Sequence, residues 1–391
     1  MNESFVNKIQ EVKRKMNIAP TKPYFFKEDM KYILDRFREI LEGKSFLSQF
    51  KYCEEFEKKF AEYVGTKYAV TTTNGTAALE LMLRAANIKN SDVVVPTNTN
   101  VATAAAVINS GNKPVFADCG KDLTIDPDSV REQITDNTKA VFTVHVGGLV
   151  SPNTYKILDV CKERGIPLFE DAAHAHGSML DGKKAGSLGV AGAFSFFSTK
   201  VMTTGEGGMI VTEDEELFER AKILRRIGQL SRMGHDYYIE EVASNWKMTE
   251  IAALLGLTQL SHLEDFVKRR NEIACILDEE LEGTDGIEVL KIPENCRSSF
   301  YKYVVFLDKG INKKILLHRL KTRYDVKLGG SVYDLPLHMQ PAFEEFVRCR
   351  LPKAEDLCMR HICMSIYYAL TDEEVVYQAE CLKTCLKEIL Q

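Results

Sequence analysis

Residues 193–212 read AFSFFSTKVMTTGEGGMIVT. The apolar run at the start predicts a buried strand, and the glycine-rich bend leads into a second strand. Lys200 lies in the polar turn between them, directly after the apolar run has ended. Most lysines are simply solvated, but the glycines at 205, 207 and 208 let backbone approach a ligand and Ser195 adds a hydroxyl. The stretch therefore predicts a lysine that forms an imine with a carbonyl cofactor.

Apolar β-like runs alternate with helical runs around this stretch. The predicted strands cover residues 68–72, 93–96, 114–118, 140–146, 166–170, 191–197 and 208–212. Runs this apolar, separated by helices such as residues 101–109 and 152–164, are typical of a mostly parallel sheet covered on both faces. The sequence thus predicts an α/β fold with three layers, αβα, in which ligands bind at the carboxyl ends of the strands.

Two other strand ends carry polar groups. Gly75 and Thr76 open a long apolar helix after the first strand, and a helix start offers N–H groups to an anion. The alternative is a plain N-cap, so this signal is weak by itself. Asp171 follows the strand at 166–170 and is either a helix N-cap or a functional carboxylate.

Pyridoxal 5'-phosphate (PLP) explains the anion seat, the carboxylate and the lysine together. Its phosphate needs N–H groups and hydroxyls, its aldehyde needs a lysine, and its pyridine nitrogen needs a carboxylate to stay protonated. A carboxylate beside a pyridinium favours the charged form of both groups. We therefore expect PLP as the cofactor, with pyridoxamine phosphate as the form that carries the amino group.

Composition excludes several classes of protein. The 391 residues carry a net charge of −5, which gives no basic excess for nucleic acid or an anionic membrane, and no apolar run reaches eighteen residues. The ten cysteines are scattered without zinc-type spacing, so we expect free thiols, a reducing compartment and no metal. Residues 5–16 have the spacing of an amphipathic helix, unlike a signal peptide, which favours the cytoplasm.

The pattern changes near residue 260. A long charged helix at 260–281 is followed by short strands and further helices up to residue 390. We expect a large α/β domain at residues 22–258 and a small α+β domain at 259–391. The segment 1–21 is expected to pack with the small domain.

The sequence resembles the DegT/DnrJ/EryC1/StrS group of fold-type-I PLP-dependent aminotransferases, which are best known for aminating nucleotide-linked keto-sugars. The resemblance extends over residues 22–377 and is carried by the segments FEKKFAEYVGTKYAVTTTNGTAALELML, VVVPTNTNVATAAAV, PLFEDAAHAHGS, SFFSTKVMTTGEGG, SNWKMTEIAALLGLTQL and PLHMQPAF. It implies a homodimer with shared active sites. It also implies transfer of an amino group, with L-glutamate as the expected donor, to C3 or C4 of a nucleotide-linked deoxysugar.

The resemblance assigns roles by position. It implies that Lys200 is the Schiff-base lysine, that Asp171 pairs with the pyridine nitrogen, and that His174 contacts the 3-hydroxyl of the cofactor. The implied phosphate ligands are Gly75, Thr76, Ser195 and, from the partner subunit, Asn245.

Asn100 and His338 are further candidates. Asn100 follows Thr99 where the family usually has an aromatic residue that stacks on the pyridine ring. We therefore expect the ring to lack its usual stacking partner here. His338 lies in PLH, which matches a segment lining the sugar pocket of the family. For the other candidate histidines, His145 and His176, a hydrogen-bonded structural role is the better prediction.

Three alternatives stay open at this point. One is a PLP- or PMP-dependent sugar dehydratase, although the dehydratases of this group carry histidine where this chain has Lys200. The second is a cyclitol aminotransferase. The third is a cofactor-bound regulator without catalysis. The joint presence of Lys200, Asp171 and the predicted phosphate site argues against it.

Overall fold

The computed structural model describes residues 16–232 and 235–391. Its strands are β1 (Tyr68–Thr72), β2 (Asp92–Pro96), β3 (Lys113–Ala117), β4 (Thr138–Val144), β5 (Leu168–Asp171), β6 (Met179–Leu180), β7 (Lys183–Lys184), β8 (Ala191–Ser195), β9 (Gly208–Thr212), β10 (Gln229–Arg232), β11 (His235–Ile239), β12 (Ile287–Val289), β13 (Cys296–Arg297), β14 (Tyr303–Leu307) and β15 (His361–Met364). Its α-helices are α1 (Lys27–Leu41), α2 (Lys51–Val64), α3 (Gly75–Ala85), α4 (Val101–Asn109), α5 (Pro127–Gln133), α6 (Asn153–Arg164), α7 (Glu215–Leu224), α8 (Glu250–Ser261), α9 (Leu263–Leu281), α10 (Lys313–Tyr324), α11 (Pro352–Arg360) and α12 (Asp372–Leu390). Short 3₁₀ turns cover Val146–Gly148, Leu337–Met339 and Pro341–Phe346.

The central sheet has seven strands in the order β1-β9-β8-β5-β4-β2-β3. Strand β9 runs antiparallel to both of its neighbours, whereas the pairs among β8, β5, β4, β2 and β3 are parallel. The prediction of a mostly parallel sheet is confirmed. As a result, the carboxyl ends of β1, β5 and β8 meet at one edge, together with the start of β9.

Both faces of this sheet are covered by helices. In β9, Ile210 packs into a cluster that contains the apolar residues of α3 and α7, such as Leu81 and Leu217. Its neighbours Met209 and Val211 point to the opposite face, into a cluster built with α2 and α8. The three-layer αβα architecture therefore follows from strands that place apolar side chains on both faces of the sheet, as predicted.

The site edge of the sheet is closely packed. A Cβ on Gly208, the first residue of β9, would lie 2.3 Å from the Asn74 carbonyl oxygen. A Cβ on Gly75, the first residue of α3, would lie 2.7 Å from the Cβ of Ser195. Only glycine at these two positions lets the start of α3 approach the ends of β8 and β9 this closely.

A second core lies around the small antiparallel sheet β12-β14-β15. It contains apolar residues of α9, α10 and α12 and also Ile18 from the N-terminal segment. The backbone of Ile18 donates to Asp325 O (3.2 Å) and accepts from Lys327 N (3.0 Å). The proposed domain boundary between residues 258 and 259 falls inside α8.

Some sequence expectations differ from the structure or lie outside it. The helix expected over 260–281 consists of the end of α8 and the whole of α9, separated at His262. The amphipathic helix expected over residues 5–16 falls almost entirely outside the described residues. All ten cysteines are free, as expected. Within the described part of the chain, no helix has both the length and the apolar character needed to cross a bilayer.

Candidate active site

A cavity of about 200 Å³ opens at the carboxyl edge of the sheet. It brings together most of the site residues that the sequence singles out. Those that line it are Gly75, Thr76, Asn100, Asp171, His174, Ser195 and Lys200. Since these residues come from widely separated parts of the chain, the parallel topology is what assembles them.

One wall of the cavity is the start of α3. The Asn74 side chain caps this helix by accepting from Ala77 N (2.8 Å). The amides of Gly75 and Thr76 belong to the first helical turn, where no carbonyl of the helix itself is available to them. Ser195, the last residue of β8, presents its hydroxyl beside them. These groups form a seat for an anion such as a phosphate.

Asp171 lies at the end of β5 and is 4% exposed. Its Oδ2 accepts from Thr103 Oγ1 (2.8 Å) and its Oδ1 accepts from Ala173 N (3.1 Å). Burial raises the pKa of this carboxyl, while the two hydrogen bonds and the charge of Lys200 oppose the rise. A cation bound against Asp171 would favour the ionised carboxylate further.

Lys200 follows β8 at the end of a short turn, in which its backbone N donates to Phe197 O (2.9 Å). Its Nζ lies over the ring of Tyr301, 4.7 Å from the centroid. Burial lowers the pKa of Lys200 to about 8, against the charge of Asp171, which raises it. About a tenth of this amine is therefore neutral at pH 7, far more than for an ordinary lysine, and the neutral form is the one that attacks a carbonyl carbon.

His174 is buried between two tyrosines. Its ring lies 4.3 Å from that of Tyr301, and its Nε2 lies 3.3 Å from Tyr333 Oη. Its Nδ1 accepts from Gly147 N (3.4 Å), so the proton of the neutral ring belongs on Nε2. Burial, together with the nearby charge of Lys200, lowers the pKa of His174 well below its usual value. The ring is thus a neutral donor facing the cavity.

Tyr333 and Tyr301 are site residues that the sequence analysis misses. Tyr333 lines the cavity directly, and Tyr301 supports both Lys200 and His174. Tyr333 stands five residues before His338, so the matched PLH segment was the one signal pointing to this loop.

Asn100 lines the cavity, but its side chain is also engaged in a helix cap. It is the N-cap of α4, and its Oδ1 accepts from Ala102 N (2.9 Å). Asn100 therefore serves both as a helix cap and as part of the cavity wall.

Two predicted site residues lie outside this cavity. Asn245 is exposed, and its Oδ1 accepts from Lys247 N (3.4 Å). His338 is buried, with Nδ1 2.7 Å from Thr97 Oγ1 and Nε2 3.4 Å from Glu355 Oε1. His145, which we expected to be structural, is buried against Glu170 at 2.8 Å.

Residues 27–383 match the DegT/DnrJ/EryC1/StrS aminotransferase family. The chain belongs to this family. It is therefore an aminotransferase, as predicted. A GDP-perosamine synthase from Escherichia coli O157:H7 is 33% identical to this aminotransferase, over 88% of the chain and 92% of the relative.

Solved structures support the same assignment. The aminotransferase PseC from Helicobacter pylori, which is involved in the biosynthesis of pseudoaminic acid, superposes with a TM-score of 0.87 at 28% identity and covers 95% of this chain and 100% of its own. The putative sugar aminotransferase Spr1654 from Streptococcus pneumoniae, in its PMP form, gives a TM-score of 0.87 at 27% identity, with 96% and 99% covered. The expected fold class is confirmed.

The cavity fits the PLP that the family implies. The anion seat at Gly75 and Ser195 is formed by a close approach that a Cβ would block. Asp171, which is buried, and Lys200, which is partly buried, line the same cavity, and each shifts the pKa of the other toward its charged form. The donor set therefore has the three chemical types that the phosphate, ring nitrogen and aldehyde need.

Proposed function

We propose that this aminotransferase uses PLP to transfer an amino group from L-glutamate to the C3 or C4 keto group of a nucleotide-linked deoxysugar. The observation that carries the proposal is the meeting of an anion seat, a buried carboxylate and a partly buried lysine in one cavity. The similarity to a GDP-perosamine synthase supports a nucleotide-linked sugar as the acceptor. Surface polysaccharides or glycosides are the proposed destination of the product.

In this proposal, the amides of Gly75 and Thr76 and the hydroxyl of Ser195 bind the phosphate of the cofactor. Asp171 binds the protonated ring nitrogen, and the Nε2–H of His174 donates to the 3-hydroxyl oxygen. When bound, PLP supplies an electron-withdrawing ring conjugated to the carbon that exchanges its amino group.

Lys200 has two tasks in the proposed reaction. Its neutral amine would hold the aldehyde group of the cofactor and would give up that place to the donor amine. The freed Nζ would take the proton from the α-carbon of the donor and would deliver it to the cofactor carbon that keeps the amino group. Because its pKa is lowered to about 8, Nζ is able both to accept and to release this proton near neutral pH.

The proposed function is tested with the two half-reactions separately. Incubation with L-glutamate should convert the holoenzyme to its pyridoxamine phosphate form and release 2-oxoglutarate. Addition of a nucleotide-linked 4-keto- or 3-keto-deoxysugar should then restore the starting spectrum and yield an amino sugar. Mass spectrometry of the product shows the gain of the amino group, and NMR shows which carbon carries it.

The same assay separates the alternatives, with the corresponding sugar lacking the keto group as the control. A product that has lost water and gained no nitrogen would contradict the proposal and support a dehydratase. Amination of a keto-cyclitol in preference to every keto-sugar would support the cyclitol aminotransferase. Absence of both half-reactions, with cofactor bound, would support a regulator.

We also propose that the protein is a homodimer with shared sites. The loop between α1 and α2 exposes a run of apolar side chains, including Phe46 (69% exposed) and Leu47 (58% exposed). This loop is hydrogen-bonded to the segment after Asn245, through Gln49 N to Met248 O (3.2 Å). A second copy that covers this apolar loop would therefore lie close to Asn245 as well.

The shared site is tested by mixing two inactive proteins. In a heterodimer of Lys200→Ala and Asn245→Ala, one site would carry both lesions and the other would carry none. We expect an equimolar mixture, after subunit exchange, to recover about a quarter of the wild-type activity, because half of the dimers would have one intact site out of two. Activity is measured before and after exchange.

The matched control is a mixture of Lys200→Ala with Asp171→Ala. Both residues line the cavity of their own chain, so every site in that heterodimer keeps one lesion and no activity should return. Failure of the first mixture to exceed this control, or sedimentation of the active enzyme as a monomer, would contradict the shared site.

A further inference from the structure

Lys302 is a partly buried lysine directly before β14 that the proposed mechanism leaves unused. Its Nζ donates to Gly329 O (2.7 Å). Among the residues that the structure describes, no carboxylate forms an ion pair with it. A buried amine without a carboxylate partner is costly, so such a group attracts an anion. Burial lowers the pKa of Lys302 accordingly.

A second cavity, of about 180 Å³, lies beside this amine. Lys302 lines it together with Thr21 from the N-terminal segment and Thr199 from the turn that carries Lys200. Pockets for drug-sized ligands are typically about 300 Å³ or larger, so this cavity suits a small group such as a carboxylate.

Tyr301 connects this second cavity to the active site. Its ring lies under both amines, 4.7 Å from Lys200 Nζ and 5.4 Å from Lys302 Nζ, which are therefore at most about 10 Å apart. Its hydroxyl lies 3.0 Å from Thr199 Oγ1. An extended five-carbon chain spans roughly 5 Å between its ends, and an ion pair adds about 3 Å, so the reach of about 8 Å lies within this upper limit.

Arg270 adds a second buried cation on the same side. Its Nη1 donates to the carbonyls of Phe300 and Ile366, each at 2.9 Å, and Ile366 lines the second cavity. Arg270 does not line the cavity itself, but among the described residues it forms no ion pair either, so the protein provides no carboxylate for this neighbouring cation. The hydrogen-bond acceptors of these two cations are neutral carbonyl oxygens. A ligand carboxylate would therefore supply the negative charge that they lack.

We propose that this second cavity binds the side-chain carboxylate of the amino donor, and that Lys302 makes the enzyme select an acidic amino acid over its amide. This inference rests on the proposed aminotransferase function. The donor amine replaces Lys200 at the reacting carbon, and the far carboxylate extends past Tyr301 to Lys302. Besides the ammonium group of Lys302, the lining offers this carboxylate the hydroxyls of Thr21 and Thr199.

The test variant is Lys302→Met, which keeps the length of the side chain and removes its charge. We expect kcat/KM for L-glutamate in the first half-reaction to fall by about 10- to 100-fold, the range for a lost charged hydrogen bond, and that for L-glutamine to change by less than about threefold. Lys309→Met removes an equivalent charge from the surface, where Lys309 is 80% exposed, and should leave both values unchanged. Lys302→Gln, which still donates to Gly329 O, should reproduce the effect of Lys302→Met.

A second measurement does not depend on turnover. Glutarate has both carboxylates but no amine, so its binding to the holoenzyme can be measured by calorimetry. Wild type should bind glutarate at least about tenfold more tightly than either Lys302 variant, with glutaramate, in which an amide replaces one of the two carboxylates, as the comparison.

Two results would overturn the inference. One is an equal loss for L-glutamate and L-glutamine, since Lys302 would then bind a group that both donors share. The other is an unchanged ratio between the two donors together with unchanged glutarate binding. If the wild type converts neither donor, the proposed function fails, and the glutarate titration still decides whether Lys302 binds a carboxylate.

Discussion

The Lys200→Ala variant should lose turnover by roughly 10⁴-fold or more while its fold and its anion seat stay intact. Loss of the amine removes both a nucleophile and a general acid–base group, and the latter alone contributes about 10²- to 10⁴-fold. The variant should still bind the cofactor, because Gly75, Asp171 and Ser195 are unchanged. Single-turnover kinetics with L-glutamate measure the loss, and equilibrium dialysis measures the retained cofactor.

Lys183 provides the matched control, because it is an exposed lysine in the short strand β7. Lys183→Ala should have wild-type turnover. In the native enzyme, borohydride should fix the cofactor on Lys200 alone. A peptide map with the label on Lys183 or Lys184 would contradict the assignment of the imine to Lys200.

The Asp171→Asn variant should bind the cofactor but lose about 10²- to 10³-fold in kcat. The amide has the same shape, yet it carries no negative charge to hold a proton on the ring nitrogen, and a loss of several kcal/mol in the barrier has this size. Folding should not suffer, since burial already opposes the ionised carboxyl and raises its pKa. Thermal unfolding of the variant checks this point alongside the kinetics.

Thr103→Val separates the charge of Asp171 from its position. It removes the hydrogen bond from Thr103 Oγ1 to Asp171 Oδ2, together with the one between Thr103 Oγ1 and Thr99 Oγ1 (2.8 Å), and should lower kcat by about tenfold or less. If Asp171→Asn turned over at a near-normal rate, or no more slowly than Thr103→Val, the carboxylate would have no electrostatic role in catalysis.

Sequence patterns were sufficient for the part of the site that lies at strand ends. Gly75, Asp171 and Lys200 each follow a short apolar run, and a parallel sheet places the ends of such runs at one edge. That reasoning predicts a common location without any knowledge of the contacts, and the structure places all three in one cavity.

The remaining walls come from parts of the chain where no periodic pattern links residue to site. Tyr333 lies in an irregular loop, and Tyr301 precedes a strand of the second core. Their contacts with His174 and Lys200 join residues more than a hundred positions apart, so only the tertiary packing reveals them. For Asn100, by contrast, a sequence signal existed, since an asparagine directly before an apolar helix is a typical N-cap.

The closely packed start of α3 has a consequence for the lifetime of the protein. A ligand seated between Gly75, Asp171 and Lys200 links distant segments of the folded chain, whereas an unfolded chain offers no such seat. At a free concentration one hundred times its Kd, such a ligand adds about 2.7 kcal/mol to the free energy of unfolding. The steady-state abundance of this enzyme in the cell should therefore follow the supply of the cofactor, because chains made without it unfold more often and are degraded sooner by proteases.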